Sequence, residues 1–348
     1  MLSGLLRAAG RSGCSTVLAG LAALVIALPA AAKPAVWTVP SLVRVERNAA
    51  AASGSAAILE AARGETESFQ IVVRADDEDL KEVSIGVGDL RGPGGAVIPA
   101  RNHVLYREHY VDIRETATPG GKPGLYADVL IPFRDATTGR APGRAELKAQ
   151  DVTVPARASQ PFWVDIAVPA GATPGGYRGT WWARAGGKRL GGGSVELTVW
   201  NVALPATPTL RSSFNQWNDH SLAADQALLA EKVMPLWIDA AGAYKLAGRS
   251  AVGAAGLGFW SGADSGTCRM SKPPGADQIA QRAASFPKDL LLYNLTAQDI
   301  GACPELVEPL RAWARALHEA DVANLVVTPP VPALGDDGSG RPAVASGS

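Results

Sequence analysis

An acid beyond a buried strand and aromatic rings able to meet a flat ligand are the residues here that could do chemistry. Residues 290–295 (LLLYNL) read as a buried strand, and Asp299 follows it. A carboxyl group placed there can exchange a proton with a bound ligand, which makes Asp299 the catalytic candidate. Its other reading is an acid ahead of a helix near Pro304, where acids are routinely stabilised by the helix dipole. Trp217, Trp237 and Trp260 could floor a sugar site, because an indole face suits the apolar face of a sugar ring; core packing is their other role. Cys268 and Cys303 form either a disulfide or two buried thiols. His103 and His109 fall on one face of a strand with no third ligand in sight, so no metal is expected. Nothing in the chain calls for a cofactor.

The elements that must position these residues divide the chain. Its 348 residues carry 33 basic and 33 acidic side chains and no basic run, which excludes a nucleic-acid surface and suits a neutral ligand. High glycine and proline with few Phe, Tyr and Met favour a turn-rich β protein. Residues 1–32 read as a secretory signal peptide: Arg7 and Arg11, then an apolar run over 17–28, then Ala30-Ala31-Ala32 as a cleavage site. An uncleaved anchor is the other reading, although the run is short for a span. After cleavage the protein is expected to be secreted or periplasmic, with no membrane attachment. Oligomeric state is not legible.

Residues 33–205 read as a β-sandwich. Phe69, Ile71 and Val73 alternate with polar or outward positions, and 104–113, 124–133 and 162–168 continue the two-residue rhythm. Two prolines and three glycines over 169–176 must turn the chain, so 160–182 reads as a hairpin. Asp128 in an apolar strand predicts a buried carboxylate with a basic or backbone partner. After the proline-rich linker at 204–208 come a helix near 223–233, helices over 276–284 and 304–320, and strands over 290–295 and 324–328. That alternation predicts a parallel α/β unit over 206–330. Pro309 suits only the first turn of its helix, so that helix is expected to start after Pro304. Residues 331–348 are Pro/Gly/Ser-rich and read as a disordered tail.

Four ordered segments carry a resemblance: 63–75 (RGETESFQIVVRA), 124–133 (GLYADVLIPF), 160–182 (QPFWVDIAVPAGATPGGYRGTWW) and 196–201 (ELTVWN). They resemble secreted bacterial proteins related to glycoside hydrolase family 123, including those with domain of unknown function 4091. The resemblance implies a (β/α)-barrel-like second domain, incomplete at this length, and a glycan ligand or substrate bearing a 2-acetamido sugar. It further implies an Asp-Glu pair after a barrel strand, the Glu as general acid/base and the Asp steadying the substrate's acetamido nucleophile. The matching segment runs from Tyr293, which joins the substrate-binding candidates, to Asp299. Without gaps the acid positions fall on Thr296 and Ala297; with a slip of two they fall on Gln298 and Asp299. The family acid pair is thus missing. The expected activity is hydrolase-like action on such glycans, the alternatives being a non-catalytic carbohydrate-binding or cell-surface protein, or a truncated inactive chain.

Overall fold

The computed structural model describes residues 33–343 apart from 118, 136–138, 145–146, 206–209, 211, 215–220, 237, 239–241, 243–252, 302, 330–331 and 340. The expected signal peptide lies outside the described residues. The strands of the first part are β1 Ala35–Pro40, β2 Ala56–Arg63, β3 Thr66–Arg74, β4 Leu80–Val87, β5 Leu90–Arg91, β6 Val97–Ile98, β7 His103–Ile113, β8 Gly124–Pro132, β9 Val152–Val154, β10 Ser159–Ala167, β11 Gly175–Ala185 and β12 Lys188–Ala203. They form a five-stranded sheet in the order β1-β3-β10-β7-β8. The facing sheet has the order β2-β12-β11-β4-β9, with β5 attached at β11 and β6 paired to β5.

Alternation explains the core between them. Phe69, Ile71 and Val73 of β3 and Phe162, Val164 and Ile166 of β10 point inward from one sheet, and Trp181, Val195 and Leu197 from the other. All are buried. The indole of Trp181 donates to the carbonyl of Ser55 at 3.0 Å. β12 approaches that residue so closely that a Cβ on Gly193 would fall 1.6 Å from the Ser55 oxygen, so only glycine fits.

Two expectations change here. The stretch 160–182 is not a hairpin: β10 pairs with β3 and β7, whereas β11 pairs with β12 and β4 in the other sheet. The Pro/Gly turn therefore carries the chain across the sandwich. Asp128 is exposed rather than buried. In the β7–β8 register, His109 faces Val129 and Tyr110 faces Ala127, leaving Asp128 as the extra residue of a bulge on an edge strand.

A strap over residues 41–49 crosses the outer face of the five-stranded sheet. Gln70 donates to the carbonyls of Pro40, Ser41 and Val43, Tyr110 to that of Val45, and Arg74 and Ser159 to that of Ala49. Glu108, on β7, is 4% exposed, and one of its carboxylate oxygens has no partner. Burial pushes its pKa up from 4.5 to about 8. Because the folded value exceeds the unfolded one, folding between those pH values takes up a proton. Stability conferred by the protonated form is complete below pH 4.5 and is lost as pH rises toward 8. The loss cannot exceed about 1.4 kcal/mol per pH unit, and relaxation around the site reduces it. Glu108→Gln is expected to gain about 1–3 kcal/mol at pH 8 and nothing at pH 4.5. Urea unfolding at the two pH values checks this, and equal gains at both would refute it.

The second part holds α1 (Leu222–Ala230), β13 (Ala254–Gly256), α2 (Ala276–Ala284), β14 (Leu291–Ala297), α3 (Val307–His318) and β15 (Ala323–Val326). Ser221 caps α1 through its hydroxyl, which accepts from the amide of Ala224. The strands form a parallel sheet in the order β13-β14-β15. As expected, α3 starts beyond Pro304, with Pro309 in its first turn. The described residues show this three-stranded parallel sheet and do not show the expected barrel. The tail expected to be disordered is ordered over 332–339: Pro332–Leu334 forms a 3₁₀ turn, and Leu334 and Asp337 are buried. Arg315 donates to the Asp337 carbonyl, and His318 Nδ1 lies 2.7 Å from its carboxylate. The Ser339 hydroxyl, ahead of His318, holds that carboxyl well below its usual range. Specific partners on α3 thus override a composition typical of disorder.

Candidate functional site

The residue after β13 that turns the chain outward is Gly258, with a φ of +82°. Phe259 and Trp260 follow, and buried Asn294 of β14 clamps the first of them. Its amide oxygen accepts from the Phe259 N–H at 2.9 Å, and its nitrogen donates to the Phe259 carbonyl at 3.0 Å. Asn294 is fixed in turn by donating to Thr296, whose hydroxyl donates to Asn324 at 2.5 Å. A fully satisfied buried network of this kind holds its members in one geometry. The rest of the loop is pinned as well. Ser271 donates through both N–H and hydroxyl to the Ser261 carbonyl, and Trp313 of α3 donates to that of Ser271 at 2.8 Å. Asp264 closes the tip by accepting from Thr267, and Cys268 is bridged to Cys303 with a Cα–Cα distance of 5.5 Å.

Between this loop and α2 lies a cleft of about 590 Å³. Phe259, Trp260 and buried Trp313 supply its aromatic surface, and Trp260 is 49% exposed. Gln278, Gln281 and Arg282 enter from α2, at spacings that share one helix face, with Ser285 at its C-cap, while Ile279 of the same helix is buried. Lys272 and Ser271 complete the rim. No carboxylate lines the cleft among the described residues. The arrangement can stack a flat ring and hydrogen-bond its substituents, and among the described residues it holds no acid to transfer a proton.

The expected site residues separate. Trp260 lines the cleft. Trp217 and Trp237 lie outside the described residues. Tyr293, expected to bind substrate, is 6% exposed. Its hydroxyl accepts from Ser213 at 3.1 Å and donates to the Leu236 carbonyl at 3.2 Å, so it is a core residue with its polar atom already used. Burial pushes its phenol above the ordinary value, opposed by Ser213. Asp299 is exposed with a φ of +53°. It does not cap the helix, because neither Pro304–Leu306 nor α3 has a side-chain cap. Thr296 and Ala297 are fully buried in β14, out of reach of any ligand. Sequence reasoning missed Lys272, which gave no signal, and Gln278, Gln281 and Arg282, whose only signal was a polar helix face following the Phe-Trp pair.

Residues 43–182 match the model of the glycoside hydrolase 123 N-terminal domain. Among solved structures, the chain is similar to a family 123 glycoside hydrolase from Clostridium perfringens studied for glycolipid glycan hydrolysis. The identity is 13%, the TM-score 0.43, and the match covers 58% of this chain and 33% of that one. It therefore spans about a third of that enzyme's length. The N-terminal domain of PorA matches at 10% identity and a TM-score of 0.22, over 48% of this chain and 99% of that one. A point mutant of the SrpA adhesin from Streptococcus sanguinis matches at 13% and 0.21, over 58% and 74%. No curated protein sequence matches the chain. The family 123 match falls on the sandwich, whereas the cleft lies in the parallel unit beyond it.

Proposed function

We propose that the protein is an exported glycan-binding relative of the family 123 hydrolases that holds 2-acetamido sugars in the Trp260 cleft without hydrolysing them. The observation that carries the reading is the cleft's lining: a half-exposed indole, two glutamines, two serines, Lys272 and Arg282, and no carboxylate among the described residues. A hydrolase of the family mechanism needs an acid beside the glycosidic oxygen. Without gaps the family's acid positions fall on Thr296 and Ala297, both sealed in the strand; with a slip of two they fall on Gln298 and Asp299, neither of which lines the cleft. We take 33–205 as the sandwich domain and 206–330 as part of a barrel-like domain. Export is supported by the Cys268–Cys303 bridge, since disulfides persist in oxidising compartments.

Titration calorimetry of the full chain with N-acetylgalactosamine and N-acetylglucosamine oligosaccharides tests binding. Trp260→Ala is expected to weaken it about two- to tenfold, the range of one aromatic contact. Asp299→Asn is expected to change nothing. Release of chromophore from an aryl N-acetylhexosaminide by the wild type, abolished by Asp299→Asn, would replace this reading with a hydrolase built on Asp299.

A further inference from the structure

We propose that the sugar taken by the Trp260 cleft is an acidic one, carrying a sulfate ester or a carboxylate that Lys272 and Arg282 receive. The inference rests on the glycan-binding reading above and specifies its ligand. Among the described residues the cleft carries two cations and no anion, in a chain whose formal net charge is zero, so its charge is local and not a general excess of base. Neither cation forms an ion pair with a carboxylate among the described residues.

Arg282 is also oriented. Its Nε donates to the Leu257 carbonyl at 3.1 Å, and its guanidinium sits 5.3 Å from the centroid of the Phe286 ring. These contacts hold the side chain in place and leave its terminal N–H groups for a planar or tetrahedral oxyanion. Lys272 approaches from the loop on the other side, as a mobile point charge. In the same cleft, Trp260 offers a ring face. A neutral sugar would leave two cations without a counter-charge; an acidic sugar satisfies both and still stacks. Ring and anion together separate this ligand from a free ion, which would have no use for the indole.

The test is calorimetry on the full chain with N-acetylgalactosamine, its 6-sulfate, a glucuronic-acid-containing disaccharide, and inorganic sulfate alone. The sulfated or the uronate sugar is expected to bind about tenfold more tightly than the neutral one at low salt. The arm showing that gain identifies the anion's source. The advantage should shrink in about 0.5 M salt, because partly exposed charge pairs are screened. Lys272→Gln, an exposed change, should lose most of the acidic sugar's advantage over the neutral one; Arg282→Gln should do the same if circular dichroism shows it folded. Equal affinity for neutral and acidic sugars overturns the inference and leaves glycan binding standing. Inorganic sulfate binding as tightly as the sugar sulfate reduces the site to an adventitious anion and overturns it. Failure of every sugar to bind overturns both readings.

Discussion

Trp313→Ala is expected to destabilise the parallel α/β unit by about 3–5 kcal/mol, the range for removing a fully buried tryptophan. The side chain is 1% exposed and packs with Ile279 of α2, Leu317 of α3 and Tyr293 of β14. It therefore joins both helices to the sheet. Its N–H also fixes the Ser271 carbonyl, so truncation frees the loop that carries Lys272. Two consequences separate this from a general loss of fold. In urea, the transition of the α/β unit should move while that of the sandwich, whose core clusters around Trp181, stays put. Trp313→Phe should recover most of the stability, because it refills the volume, but not sugar affinity, because it cannot donate to Ser271. A change below about 1 kcal/mol for the alanine variant would show that α2 and α3 do not close on this side chain.

The sandwich was legible because its strands alternate, and alternation is local. What β10 pairs with is not local: its partner β3 lies far back along the chain, at a register where Phe162 meets Ile71. The turn residues after Ala167 announce a change of direction but carry no information about which sheet receives the chain. That is why 160–182 suggested a hairpin and became a crossing. In the second part, β14 and α3 were visible through apolar runs and helical spacing. β13 was not, since its three residues, Ala-Ala-Gly, have neither the length nor the side chains to make a pattern.

The site divides in the same way. Trp260 stood out by residue type alone. Gln278, Gln281 and Arg282 look like any solvated helix face until the loop over 259–274 folds back opposite them. That folding depends on Asn294, which lies 35 positions beyond the Phe259 backbone it clamps, too far for any local pattern to reveal. The same physics removed Tyr293 from the candidates: a tyrosine in a strand is exposed or satisfied according to what packs over it, and here Ser213 and Leu236 meet its hydroxyl. Of the two alignments that the family resemblance allows, the one without gaps puts the acid positions inside the strand, whereas the one slipped by two puts them beyond it, on Gln298 and exposed Asp299. Thr296 spends its hydroxyl on Asn324, and Ala297 has nothing to offer a ligand.

Reduction of the Cys268–Cys303 bridge is expected to cost the α/β unit about 3–4 kcal/mol, the chain-entropy value for a loop of this size. The two cysteines are 35 residues apart, and the closed loop contains α2, β14 and most of the cleft-forming segment. Without the bridge, the unfolded chain regains the freedom to separate these ends, while the native contacts of Asp264 and Ser271 persist. The loss therefore falls on the unfolded side of the balance. Cys268→Ala with Cys303→Ala should lower the urea midpoint of the α/β unit and leave the sandwich transition unchanged. Sugar affinity of the folded variant should drop less than about twofold, since the Trp260 backbone segment is held by Asn294 rather than by the bridge. Thiol titration of the native protein gives the decisive control: two reactive thiols without reductant would remove the bridge from the account, and with it the support it lends to export.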